Sequence, residues 1–280
     1  MRKTSDSAWV VVSGVAYFSA VIFVIWVAVH LYILSEGKLS LEFLFTNPTN
    51  GMTAGGVFAP LFGSLYLALW VLVISTPLGV LAGVYFAEFA PDNTLTRLLR
   101  SSIRTLSGVP AIVFGLFGLA FFVRLMNLRL SLLSSALTLS VMNLPVIITT
   151  TEEALRLVPN AQKEAAIALG ANAWEVWRDV SFKYASGGML SGLFLALSRA
   201  LGETAPILLT GVVFYQPTVT LDPTKSFMAL PYHIFILATQ HSKFAEVLPI
   251  AAASGFILLI IVLLIRILAY IYSRRIQRWL

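Results

Sequence analysis

The chain has 280 residues, of which 58% are apolar and only 11% charged; 19 basic and 13 acidic side chains give a formal net charge of +6. Soluble domains carry about 25% charged residues, so this composition argues against a water-soluble enzyme, a disordered chain or a nucleic-acid-binding domain, and makes lipid part of the solvent. Cysteine is absent and the three histidines, His30, His233 and His241, are scattered, which leaves no disulfide framework and no zinc-ligand spacing.

A membrane-crossing helix needs about 20 mostly apolar residues. Six such runs are predicted, at roughly 9–34, 58–88, 103–124, 131–151, 186–213 and 246–271. The first is too long for the apolar region of a signal peptide and no small-residue cleavage site follows it, so it is expected to stay as a span. The second holds Pro77 and the pair Gly79 and Gly83, and ends near Glu88, which is expected at the interface. The third holds Pro110 and the fourth Pro145; each proline removes a backbone donor and is expected to kink or break its helix. Asn143 and Thr149 to Thr151 in the fourth run suit hydrogen bonds between helices better than a polar pathway. Gly188 and Gly192 in the fifth run repeat the small-xxx-small spacing of the second, which lets helices approach closely. Arg266, near the end of the sixth, has a stem long enough to snorkel.

If the N-terminus is cytoplasmic, twelve of the nineteen Lys and Arg fall inside, five outside, and Arg199 and Arg266 within spans. The bias predicts both termini on the cytoplasmic side and accounts for most of the basic character without nucleic acid.

Two connections are long. The outer one, 214–245, contains an apolar stretch from Phe227 to Ile236 that is too short to span. The inner one, 152–185, reads as two short helices around a sharp turn. Pro159 suits a helix start and Asn160 a cap, the helix formers Ala161 to Leu169 follow, and Gly170 suits a left-handed terminus. Asn172 with Glu175 can cap a second helix carrying Trp174 and Trp177 on one face. Such an alanine-dense helix fits a groove on another protein. An interfacial helix lying on lipid, with the tryptophans at headgroup level, fits the composition equally.

Arg199 and Glu203 lie within the fifth run, four residues apart and hence on one helix face. Intramembrane charges are expensive and should face the bundle interior. Two readings follow: a transient anion contact by Arg199 with Glu203 holding it in place, which is favoured, or a structural ion pair. A guanidinium stays charged and matches phosphate oxygens in pairs.

Glu164-Ala165-Ala166, three residues, Gly170, nine residues and Val180-Ser181-Phe182-Lys183 resemble the EAA loop of ABC importer permeases, with Lys183 where that family has proline. Four further stretches are similar to phosphate-importer permeases of the PstA type. They are Ser107 to Pro110 with Phe114 to Gly118, Leu144-Pro145 with Thr150 to Leu155 and Val158-Pro159, Ser198 to Leu209, and Phe227 to Pro231. The resemblance implies an all-α polytopic permease subunit of type I ABC importer architecture, with a peripheral part (1–57) and a five-helix core (58–280). It further implies a pathway for inorganic phosphate near Arg199 and Glu203, and coupling to an ATPase through Glu164, Ala165, Ala166 and Gly170. The implied partners are a homologous (PstC-type) permease chain, an ATPase dimer and an extracytoplasmic phosphate-binding protein, in a bacterial inner membrane.

No cofactor is expected. The sole Gly-Lys pair, Gly37-Lys38, is followed by Leu39 in an outer loop, so ATP would be hydrolysed by another chain and this one is not expected to be an enzyme. The Gly51 to Gly56 stretch reads as a loop. Rival readings are a permease for another oxyanion such as sulfate or molybdate, a secondary transporter, and a membrane-anchored scaffold.

Overall fold

The structure, a computed structural model, describes residues 2–216 and 218–277, with the side chains of 2–11 and 275–277 excepted. Arg278, used in the orientation count, lies outside the described residues. Long helices dominate because apolar runs in lipid must satisfy every backbone donor internally. α1 (Arg2–Leu34) is followed by the short α2 (Leu41–Phe45), whose first turn is capped by Ser40. Two-residue strands β1 (Pro48–Thr49) and β2 (Ala54–Gly55) then pair antiparallel around a turn at Asn50–Met52. The stretch expected to be a plain loop is therefore a small folded hairpin, with Met52 and Val57 buried.

α3 (Phe58–Val84) continues through a π-helical turn, Tyr85–Phe89, and spans about 48 Å at 1.5 Å per residue. α6 (Leu132–Arg156) starts at Ser131, whose hydroxyl accepts from the Ser134 amide. α12 (Phe244–Gln277) closes the chain, and α1 lies against it through Tyr32 and Phe256. Pro77 and Pro145 lie inside α3 and α6 without ending them.

Two expected spans are corrected. The third, drawn from 103 to 124, is two helices: α4 (Thr94–Leu106) and α5 (Ala111–Gly118), the latter continued by a π-helical segment to Leu125. They meet at 101° across Ser107–Pro110, because Pro110 has no amide to donate and fixes the turn before α5. The fifth, drawn from 186 to 213, ends early. α9 (Phe182–Gly202) stops, Glu203 adopts extended backbone, and α10 (Ala205–Thr210) restarts. Pro206 explains the break: in a continuous helix its ring would clash with the carbonyl four residues back, at Gly202.

The inner connection is also shorter than 152–185. Residues 152–156 belong to α6, and the helix of the fifth span begins at α8 (Ala173–Glu175) and runs through a π-helical turn, Val176–Ser181, into α9. The expected second short helix is therefore the start of that long one. With Lys183 in place of proline the backbone donor is kept and the helix passes unbroken. The remaining helix of the connection is α7 (Asn160–Ala168). Pro159, not Asn160, occupies its cap position, and no side-chain cap forms.

Glycines set the helix contacts. A Cβ on Gly79 or Gly83 would stand 2.6 Å from Ile147 or Thr151, and one on Gly188 2.7 Å from Ala154, so α3, α6 and α9 touch nearly backbone to backbone. The core forms three clusters along the bundle. One, at the end expected to face outward, joins Phe43, Met52, Met228, Leu230, Leu237 and Val247, with α11 (Leu230–Thr239) contributing Leu230 and Leu237. A middle one joins Leu67, Val71, Phe114, Leu139, Met142 and Ile207. The third, at the end expected to face inward, joins Val84, Ala154, Leu155, Val158 and Met189.

Candidate functional site

Arg199 lies in the last turn of α9, where the helix dipole favours a cation. Its Nε donates to Glu203 Oε1 at 3.1 Å, and both side chains are partly buried. Because Glu203 has left the helix, the pair closes over the break at Gly202 instead of running along a regular face. The Arg199–Glu203 hydrogen bond uses Nε alone; the two terminal amino groups of the guanidinium make no hydrogen bond among the described residues. A half-used guanidinium can still present a fork to an anion.

The polar residues of α6 do not join this pair. Asn143 Nδ2 reaches the Ala196 carbonyl on α9 at 3.4 Å, while Thr149 and Thr150 bond back to their own helix. Only Asn143 therefore bonds between helices as its residue type suggests; Thr149 and Thr150 satisfy carbonyls of their own helix, and Thr151 Oγ1 is buried without a partner among the described residues.

The second group of expected residues lies on α7. Glu164 and Ala165 are exposed, Ala166 is partly buried, and Gly170 adopts φ +90° just past the helix end. Gly170 N donates to Ile167 O (2.9 Å) and Ala171 N to Ala166 O (3.1 Å), the paired bonds of a left-handed helix terminus that glycine permits without strain. Asn172 and Glu175 form the anticipated capping box. Beside the alanines, Ile167 and Leu169 are 59% and 90% exposed. Trp174 stacks on Trp177, which packs against the inner core cluster.

What holds α7 escapes sequence reading. Lys163 Nζ donates to both oxygens of Glu88, at 2.7 and 2.9 Å, tying α7 to the π-helical end of α3. Nearby, Glu152 is buried between two arginines: Arg156 donates through Nε at 3.0 Å, and Arg100 Nε lies 2.8 Å away. Arg100 also donates to the Phe86 carbonyl at 2.6 Å. These contacts link α4, the end of α3, α6 and α7 into one ionic floor. Glu88 and Lys163 are 75 residues apart, so no local spacing signals them.

The chain is 34% identical over 270 residues to the "Phosphate transport system permease protein PstA" of Yersinia pestis, covering 96% of this chain and 90% of that protein. It is 38% identical over 211 residues to the "Probable ABC transporter permease protein YqgI" of Bacillus subtilis, covering 75% and 71%. Its fold matches the MetNI methionine ABC transporter in an inward-facing conformation at a TM-score of 0.59 and 18% identity, covering 85% of this chain and 99% of that one. A bacterial ABC transporter for the acidic polysaccharide alginate matches at 0.58 and 15% identity, covering 93% and 95%. Residues 75–278 match a family of transport subunits, and the chain therefore belongs to the binding-protein-dependent transport system inner membrane component family.

Proposed function

We propose that this chain is the PstA-type permease subunit of an ATP-driven importer of inorganic phosphate. The observation that carries the reading is Arg199, a partly buried guanidinium held by one bond across a helix break, in a chain similar along its length to a phosphate permease. In this reading both termini and α7 face the cytoplasm of a bacterial inner membrane, following the Lys and Arg bias. Residues 1–57 stay peripheral and 58–280 form the moving core. A homologous permease chain completes the pathway, an extracytoplasmic binding protein delivers phosphate, and an ATPase dimer grips α7; the chain itself hydrolyses nothing.

Arg199 engages phosphate oxygens with its free terminal amino groups, which makes it a transient contact. Glu203 competes for the same charge, so affinity stays low and the ion is passed on. ATP-driven closure of the motor chains pushes on Glu164, Ala165, Ala166 and the Gly170 turn. Lys163 passes that motion to Glu88 and thus to α3.

The test is Arg199→Gln. Phosphate uptake into vesicles should fall to background while co-purification of the partner chains persists; wild-type uptake in that variant refutes the pathway role. Uptake competition by sulfate or molybdate separates the other-oxyanion reading. Dependence on ATP but not on membrane potential separates a secondary transporter. Cross-links from Ala165→Cys or Ala166→Cys to a nucleotide-hydrolysing chain test the docking helix.

A further inference from the structure

α4 is amphipathic in a way that transport does not use. Leu95, Leu98, Leu99 and Leu106 fall on one side at helical spacing and are 45–63% exposed. Arg97, Arg100 and Arg104 fall on the opposite side, and the helix contains no Asp or Glu. It leaves α5 at 101°, and α5 exposes Ile112, Val113, Leu116 and Phe117 as a lipid-facing span does. A helix at nearly a right angle to a span runs in the membrane plane, at the depth where headgroups sit. A cationic polar face with leucines on the other is the pattern of such interfacial helices.

The three arginines are not equivalent. Arg100 turns inward to Glu152 and the Phe86 carbonyl. Arg97 is exposed, with Asp92 no closer than 3.9 Å, and Arg104 makes no ion pair among the described residues. Together with Ser101 and Thr105 they line an open concavity along one flank of α4, between the arginine and leucine faces.

We propose that α4 is an in-plane anchor that selects anionic lipid: Arg97 and Arg104 take the headgroup phosphate, and the leucines enter the acyl layer. Free phosphate offers the same oxygens but covers none of the leucine face, so the occupant is a lipid. The inference needs only a membrane-spanning chain and does not depend on the cargo.

The chain has no cysteine, so Leu98→Cys gives this chain a single labelling site, and the unsubstituted complex treated identically corrects for label on other chains. The full complex is placed in phosphatidylcholine vesicles doped with spin-labelled phosphatidylglycerol or, at equal fraction, spin-labelled phosphatidylcholine. Quenching by phosphatidylglycerol is expected to be about threefold stronger or more. Arg97→Gln with Arg104→Gln removes that preference but keeps the quenching. Arg97→Lys with Arg104→Lys retains it, which guards against a merely misfolded variant. Added inorganic phosphate leaves it unchanged. Equal quenching by both lipids, absence of quenching because protein covers the leucines, or loss of the preference to inorganic phosphate would each overturn the proposal.

Discussion

The two ends of the bundle are held by different forces. At the end that carries the β1–β2 hairpin, outer in the proposed orientation, α2, the hairpin and α11 bury Phe43, Met52, Leu230 and Leu237 in an apolar cluster. At the inner end, α3, α4, α6 and α7 meet through Glu88, Lys163, Arg100, Glu152 and Arg156. Apolar packing has one good arrangement and resists change. Ion pairs tolerate a shifted geometry better, and the more accessible of them, such as Lys163–Glu88, are individually weak and can be remade. The difference suits an outer end that keeps its shape and an inner end that moves.

The largest expected effect is at Glu152. Glu152→Gln leaves Arg100 facing a neutral amide in a nearly closed site, and should lower stability by about 3–5 kcal/mol. Thermal unfolding in detergent measures it. A neutral result would mean that the inner end does not rest on its charges. Next is the outer core. Leu237→Ala removes a fully buried side chain and should cost about 3 kcal/mol.

The outer end also hides a titratable group. His233 on α11 is buried, both ring nitrogens lack a partner among the described residues, and burial pushes its pKa down to about 4. The folded protein thus prefers neutral histidine while the unfolded chain protonates near 6.5. Stability is full above pH 6.5, falls between 6.5 and about 4, and levels off below; the loss is about 3 kcal/mol. His233→Leu should flatten that slope, and an unchanged acid profile would put the sensitivity elsewhere.

Much of the inner end's local structure was legible because its signals are local. Gly170, the Asn172–Glu175 box and the paired glycines each depend on a few neighbouring residues. Four of the five long spans, those of α1, α3, α6 and α12, were legible from hydropathy. The breaks were harder. Pro110 and Pro206 lie inside apolar runs, and hydropathy counts composition, not whether a ring clashes with a carbonyl. The Arg199–Glu203 pair was readable from spacing, though not the helix end on which it closes. The ionic floor was unreadable, since Glu88 meets Lys163, and Arg100 meets Glu152, only after four elements have folded.

The smallest expected effect on stability is at the most informative contact. Lys163 and Glu88 are each about one-fifth exposed, so breaking the pair by Lys163→Met should cost only about 1 kcal/mol. If the pair transmits force, its loss should instead appear in coupling. Under the proposed function, ATP hydrolysis by the assembled complex would persist while phosphate moved per ATP fell severalfold. Exchanging the charges, Lys163→Glu with Glu88→Lys, keeps an attraction between α7 and the end of α3 and should recover most of that ratio. A swap no better than either single variant would reduce the contact to local packing. Recovery would instead identify a weak bond that matters because it is the tie between α7 and α3, the place where a π-helical turn aims the Glu88 carboxylate at α7.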